Sequence, residues 1–117
     1  MEDKLISILE TFGYPVSLQG SLSAEKEFPD SFFTFWNDSS DGNFADNDEF
    51  ITKYEYSVNF YSTDAELVYS VMREAAKLLR ENDFILSGDG RSVPSGVETH
   101  DGRGIDVRYI KTNERND

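Results

Sequence analysis

The only histidine of the chain, His100, lies in a charged stretch near the C-terminus. Glu98, Asp101 and Arg103 surround it, and such groups can orient an imidazole for general acid–base catalysis. No serine in a nucleophile elbow accompanies the histidine, and a single histidine cannot form a histidine metal cluster. Loop histidines near carboxylates more often make hydrogen bonds at a surface or an interface. We therefore predict partner contacts for Glu98, His100 and Arg103, and a small hydrolase centred on His100 and Asp101 is the weakest alternative.

The segment from Asn37 to Glu49 is rich in Asp and Asn, and it matches part of the template of a calcium-binding loop. The residues that would take template positions one, three, five, six, seven and twelve are Asn37, Ser39, Asp41, Gly42, Asn43 and Asp48. The template begins with Asp, ends with a bidentate Glu and lies between helices, and this segment meets none of these conditions. An acidic hairpin loop is therefore favoured over a metal site. Long loops in small domains are often functional, so Asp41, Phe44 and Asp46 are predicted contact residues.

The glycine-containing run from Gly88 to Ser92 resembles a turn that binds phosphate through backbone N–H groups. A phosphate-binding loop needs a Gly-Lys-Ser/Thr ending and a following helix, whereas Val93 and Pro94 follow here. Glycines that permit a tight turn are the simpler explanation. We therefore assign no cofactor, no metal ligand and no catalytic residue to the chain from its motifs.

Aromatic residues are concentrated in two runs, from Phe32 to Trp36 and from Tyr54 to Tyr61. Aromatic rings stack on bases in proteins that bind single-stranded nucleic acids, but those proteins also have a basic groove. This chain has 11 Lys plus Arg against 23 Asp plus Glu, for a formal net charge of -12. The aromatic runs therefore predict core packing and subunit contacts. Tyr61, which is out of phase with the buried positions, is the ring expected at an interface.

The residues from Phe50 to Leu79 predict a strand that leads directly into a helix. The apolar residues that alternate with polar ones, at the period of a half-buried strand, are Tyr54, Tyr56, Val58 and Phe60. Those that recur at helical spacing are Leu67, Val68, Val71, Met72, Ala75, Leu78 and Leu79. Thr63 with Glu66 predicts a capping box at the helix start. A helix that folds back over the preceding strand forms the centre of an open-faced α+β sandwich.

Weaker patterns predict the remaining elements of one α+β domain over residues 1–117. The predicted elements are a helix from Glu2 to Phe12, an extended path from Tyr14 to Leu18, and strands from Phe32 to Trp36, Phe84 to Leu86 and Ile105 to Tyr109. A loop or strained hairpin is expected from Gly88 to Gly104, a helix C-cap at Asn82, and fraying from about residue 111. The predicted fold is a mixed or antiparallel sheet of four to five strands with two helices on one face.

Composition predicts a small intracellular protein that does not bind nucleic acid sequence-specifically. At 117 residues the chain has room for one core, and 9 Phe, 6 Tyr and 1 Trp supply large side chains for it. Without cysteine it can form neither a disulfide nor a thiolate metal site. The acidic N-terminus does not resemble a signal peptide, and no apolar run in the sequence is long enough to span a bilayer. The excess of carboxylates opposes binding to a phosphate backbone.

Three segments resemble small structural proteins of siphophages and prophages in Gram-positive bacteria. These segments run from Asp41 to Glu49, from Tyr54 to Asp64 and from Gly96 to Ile105. The family comprises minor capsid, head–tail joining and tail-completion proteins, and the resemblance extends from the N-terminal helix to the final strand. The predicted order of elements also resembles the tail-terminator fold, a small sheet with helices on one face.

The resemblance implies a structural protein, not an enzyme, that becomes part of the virion after synthesis in the bacterial cytoplasm. The implied partners are further copies of the chain, in a ring that is often hexameric, together with tail-tube and head-connector proteins. Such rings use two different patches on each subunit, and the loops around Phe44 and His100 are the predicted patches. A negatively charged lumen would let DNA pass without binding it. The alternative is an intracellular acidic adaptor or regulatory module that mimics DNA or binds a basic partner.

Overall fold

The computed structural model describes residues 2–18, 29–38, 51–86, 90–94 and 99–112. The elements within these ranges are α1 (Glu2–Glu10), β1 (Val16–Leu18), β2 (Ser31–Asn37), β3 (Ile51–Ser62), α2 (Ala65–Glu81), β4 (Ile85–Leu86), β5 (Arg91–Val93) and β6 (Asp101–Thr112). The predicted α+β class is confirmed. The described sheet has six strands rather than the predicted four to five. The additional strands are short: β1 lies in the predicted extended path, and β5 lies in the predicted loop.

All six strands form one mixed sheet. Their order is β1-β2-β3-β6-β4, and β5 also pairs with β6. β1 runs parallel to β2, and the other described pairings are antiparallel. The longest pairing joins β3 to β6, from Ile51 opposite Thr112 to Ser62 opposite Asp101. This pairing fixes which residues of the two central strands share a face, because directly opposed residues point to the same side.

Both helices pack on one side of the sheet, which we call the helix face. α2 contacts β3, β6 and β4, and α1 contacts α2 and β1. Their apolar residues enclose a core with alternate residues of the central strands, and Phe33, Val58, Phe60 and Ile105 are fully buried in it. The predicted packing of the alternating strand against the amphipathic helix is therefore confirmed. We call the other side of the sheet the open face.

Tyr56 is the central aromatic residue of the helix face and is only 2% exposed. Burial raises the pKa of its phenol from 10.0 to about 12, and the charges of Glu2 and Tyr54 act in the same direction. Since the phenol of the unfolded chain ionises near pH 10, this group favours unfolding as the pH rises from about 10 to about 12. Below pH 10 it has no such effect.

The helix α2 begins one residue later than the sequence predicted. Asp64 is its N-cap, and Oδ1 of Asp64 accepts hydrogen bonds from the backbone N–H groups of Glu66, at 3.0 Å, and Leu67, at 3.4 Å. The capping box of Thr63 with Glu66 is therefore wrong. A carboxylate satisfies the free N–H groups of the first turn and also opposes the positive end of the helix dipole. The predicted C-cap at Asn82 is confirmed.

Replacing Asp64 with alanine should lower the free energy of unfolding by about 1 kcal/mol, because two N–H groups lose their acceptor. In a domain of this size the melting temperature should fall by roughly 3–6 °C, which thermal unfolding followed by circular dichroism can measure. Thr63→Ala is the matched control, and it should melt close to the unmodified chain. An equal loss in both variants would contradict the assignment of the cap.

The strand β6 begins at Asp101, inside the segment that was predicted to be a loop. Gly102 and Gly104 lie opposite Tyr61 and Asn59 of β3 on the open face. A Cβ atom on Gly102 would lie 2.6 Å from Cε1 of Tyr61, and one on Gly104 would overlap Oδ1 of Asn59. The two glycines therefore mark places where side chains of β3 lie across β6, not places where the chain turns.

Two predicted boundaries also differ from the structure. α1 ends at Glu10 rather than Phe12, and the N–H groups of Phe12 and Gly13 bond to carbonyl groups three residues earlier. Backbone pairing in β6 continues to Thr112, past the residue at which fraying was expected. Within the ranges given above, neither helix has the length and apolar character needed to cross a membrane.

Candidate interaction surfaces

The structure locates three of the predicted contact residues. Tyr61 lies in β3, Arg103 lies in β6, and His100 directly precedes β6. The predicted contact residues that fall outside the described ranges are Asp41, Phe44, Asp46 and Glu98, and the interior of the calcium-loop template also lies outside them. The contacts proposed for these residues stay predictions.

Both ring nitrogens of His100 are engaged by neighbouring groups. Nε2 lies 2.8 Å from the carbonyl oxygen of Pro29, and Nδ1 lies 2.9 Å from Oγ1 of Thr99. Because a carbonyl only accepts, Nε2 donates to Pro29, and Nδ1 of the neutral ring then accepts from the threonine hydroxyl. The imidazole also lies 5.9 Å from the ring of Phe32. His100 therefore connects the start of β6 to the segment that leads into β2.

A cavity of about 280 Å³ at this end of the sheet has Ser92, His100 and Asp101 in its lining. These residue types form hydrolytic triads when the histidine accepts the serine proton and the carboxylate orients the imidazole. Here the partners of the two ring nitrogens are Pro29 and Thr99 instead. The arrangement gives no support to the hydrolase alternative.

Tyr61 lies on the open face, as its phase in β3 predicted, but it is only 9% exposed. Its ring centroid is 5.2 Å from that of Phe32, and the ring covers Gly102 on the neighbouring strand. Because Gly102 has no side chain, the ring of Tyr61 can occupy the space beside its backbone. Little of the ring is accessible to a partner, and a subunit contact through Tyr61 stays a prediction.

Exposed apolar side chains lie at the other end of the open face. Trp36 of β2 is 49% exposed, Ile85 of β4 is 44% exposed, and Ile110 of β6 is 42% exposed. The strand registers place charged residues of the same face between them, namely Lys53, Glu55 and Arg108. We call these six residues the open-face surface. Exposed tryptophan and arginine are enriched at protein interfaces, so this surface is a better candidate than Tyr61 for a subunit contact.

A small polar network borders the open-face surface. Ser57 donates a hydrogen bond to Asp38 and lies 3.3 Å from Asp106, which also accepts two hydrogen bonds from Arg91 at 3.0 and 3.2 Å. The Arg91–Asp106 pair is about half exposed, so it contributes little to stability. In the part of the chain that the structure describes, no group of three or more His, Asp or Glu side chains could hold a metal ion.

Three arginines line one groove at the edge of the helix face. Tyr69, Arg73, Ala76 and Arg80 form one stripe along α2, and Arg103 of β6 faces this stripe across a cavity of about 300 Å³. We call these five residues the arginine groove. The described lining contains three guanidinium groups and no carboxylate.

Contacts with Tyr69 and Gly90 orient the guanidinium of Arg103 in the groove. Its carbon Cζ lies 4.6 Å from the centre of the Tyr69 ring, and Nη2 donates to the carbonyl oxygen of Gly90 at 3.2 Å. Arg103 is a predicted contact residue, whereas nothing in the sequence pattern singled out Arg73 and Arg80. Their helical spacing places them on one side of α2, whereas their proximity to Arg103 depends on the register of β3 with β6.

Comparison with known proteins assigns no family to the chain. No protein-family model matches it, and no curated protein matches it. The open-face surface and the arginine groove, which lie on opposite faces of the sheet, are therefore the structural features from which a function can be argued.

Proposed function

We propose that this chain is a structural subunit of a phage or prophage virion, a tail-terminator or head–tail joining protein that assembles into a ring. In this proposal it is not an enzyme, and its partners are further copies of itself, the tail tube and the head connector. The resemblance of three sequence segments to that family supports the proposal, and so does the α+β fold with both described helices on one face.

The observation that carries the proposal is the open-face surface. Its three large apolar side chains are more than 40% exposed on the side of the sheet opposite the described helices. Removing such surface from water favours association. A ring also requires a second, different patch on each subunit, and we propose the arginine groove on the other face of the sheet for this role.

The acidity of the chain agrees with a position around a DNA channel. A net charge of -12 offers DNA few phosphate partners, so a ring with a negatively charged lumen would let DNA pass without holding it. Carboxylates also repel each other across a subunit interface. Contacts between copies must therefore bring the few basic groups of one copy close to the acidic groups of the next.

The proposal predicts that the purified full chain caps growing tail tubes. We expect the chain to shorten tubes formed by the major tail protein of the same phage or prophage, and to be found at one end of each tube in electron micrographs. The matched control is the same tube protein grown without the chain. An acidic adaptor would leave the length of the tubes unchanged, and that result would contradict the proposal.

A further inference from the structure

We propose that the open-face surface of one copy binds the outer side of α1 of a second copy. The outer side of α1 consists of its exposed polar residues, which we call the α1 stripe: Glu2, Asp3, Ser7 and Glu10. The inference rests on the proposed function, since it names a contact through which neighbouring ring subunits join.

The open-face surface carries two cations that lack a partner in the part of the chain that the structure describes. Arg108 is exposed, Lys53 is half-buried, and the side chain of neither makes a hydrogen bond or an ion pair there. Both border Ile110, because Lys53 is paired with it and Arg108 precedes it by two residues in β6. In a chain of net charge -12, an exposed apolar surface beside unpaired cations favours an acidic partner with apolar neighbours.

The α1 stripe has the complementary charge. Leu5 and Leu9 anchor the opposite side of α1 in the core, where both are fully buried, so the stripe faces solvent. Three of its four members are carboxylates. The basic residue of the helix, Lys4, lies 4.4 Å from the centre of the Tyr109 ring and donates to the hydroxyl of Tyr109 at 3.2 Å. The stripe therefore presents carboxylates that no basic group of α1 pairs with.

The dimensions of the two surfaces match. α1 has nine residues, which gives a length of about 14 Å and a diameter of about 10–12 Å. Along β3 the open-face surface runs from Lys53 to the level of Trp36, four residues further on, or about 14 Å. Across the sheet it runs from β2 to β4, three strand spacings, which also amounts to about 14 Å. One copy of α1 therefore covers the surface.

The spacing of the charges matches as well. Asp3 and Glu10 are seven residues apart on the same side of α1, so about 10 Å separates them along the helix axis. Lys53 and Arg108 are diagonal neighbours on the sheet, about 7–8 Å apart, and both side chains are long and flexible. Each cation can therefore reach one carboxylate.

The positions of the two surfaces suit a contact between different patches. α1 lies on the helix face, and the open-face surface lies on the other side of the sheet. The two surfaces of one copy therefore cannot meet each other, and the contact joins the same two sides of the sheet as the proposed ring. A repeated contact of this kind closes into a ring.

Charge reversal in α1 provides the first test. We expect Glu10→Lys to weaken self-association of the full chain by about tenfold or more in analytical ultracentrifugation, because a third cation then faces Lys53 and Arg108. A basic residue in the last turn suits the helix dipole, so the loss does not come from unfolding of α1. Glu74→Lys, at an exposed position of α2, is the matched control. Both variants lower the repulsion between copies equally, so the control should associate at least as strongly as the unmodified chain. Similar losses in both would overturn the inference.

Reversal on the open face provides the second test. Arg108→Glu should weaken association as Glu10→Lys does, whereas Lys77→Glu, at an exposed position of α2, should change it by no more than about threefold. A chain that carries both Arg108→Glu and Glu10→Lys should associate again, because the two charges of the pair have exchanged places. Failure of this double variant to regain association would overturn the inference.

Cross-linking identifies the surface that covers the open face. The chain has no cysteine, so introduced cysteines react specifically with a short bismaleimide linker. A mixture of Arg108→Cys and Glu10→Cys chains should give covalently linked dimers in far higher yield than a mixture of Arg108→Cys and Glu74→Cys chains. Equal yields would overturn the inference. Preferential linkage of Arg108→Cys to Arg73→Cys would also overturn it, because the arginine groove would then cover the open face.

Failure of the inference can be told apart from failure of the proposed function. Rings and capped tubes that form unchanged in the Glu10→Lys variant would overturn the inference and leave the proposed function intact. A chain that never associates and never caps tubes would remove both.

Discussion

Replacing Gly102 with alanine should lower the free energy of unfolding by about 1–3 kcal/mol, the usual cost of forcing extra volume into a packed site. The new Cβ atom would lie 2.6 Å from Cε1 of Tyr61 and 2.8 Å from the carbonyl oxygen of Val93. The ring can move, but the carbonyl belongs to the β5–β6 ladder and cannot move without disturbing it. Alanine restricts the unfolded chain more than glycine does, which favours folding by only about 0.5–1 kcal/mol. The steric cost is therefore the larger effect.

A double-mutant cycle with Tyr61→Leu separates the contributions of the ring and the carbonyl. Chemical denaturation should show that the double variant loses less stability than the sum of the single variants, with a coupling of about 1 kcal/mol, because leucine leaves room beside the new methyl group. Additive losses would mean that Tyr61 does not pack on Gly102 as the structure shows. A neutral or stabilising Gly102→Ala would contradict the close approach of the two strands.

Replacing Trp36 with alanine should weaken self-association about thirtyfold or more, which corresponds to about 2 kcal/mol. Trp36 is the most exposed large apolar residue of the open-face surface, at 49%. Tryptophan at the centre of an interface commonly contributes this much when a partner covers it. Because half of the side chain is already in water, the stability of the monomer should change far less than the association constant. Sedimentation equilibrium measures the first quantity, and thermal unfolding at low concentration measures the second.

The control for this variant is Leu18→Ala. Leu18 is 45% exposed and lies in the edge strand β1 rather than on the open-face surface. We expect it to change association by no more than about threefold. If Leu18→Ala weakens association as much as Trp36→Ala, the subunits join through the edge of the sheet and not through its open face.

The centre of the fold could be predicted because each of its elements carries its own period. Side chains of β3 alternate and those of α2 recur every three to four residues, so both elements and their shared core follow from local patterns. The same information could not identify the start of β6. Gly102 and Gly104 are typical of turns, and only the side chains that cross them from β3 show that a strand runs there.

Neighbouring residues of similar chemistry limited the prediction at the helix start. Thr63 and Asp64 can both cap a helix, and the extended backbone of Asp64 (φ -104°, ψ 108°) decides between them. The prediction of the candidate site was limited instead by the register of β6 with β3, which local sequence patterns do not reveal. Arg103 was singled out for its polar neighbours, but its approach to Arg73 and Arg80 follows from which residue of β6 pairs with Phe60 of β3.

The copy number of the purified chain tests most directly the proposal that the chain builds rings with the face of its sheet that the described helices leave open. Mass measurement over a range of concentrations, combined with electron microscopy, should reveal closed rings of a single copy number that disappear in the Trp36→Ala variant. Particles that stay monomeric at every concentration, both free and in the presence of completed tail tubes, would contradict it.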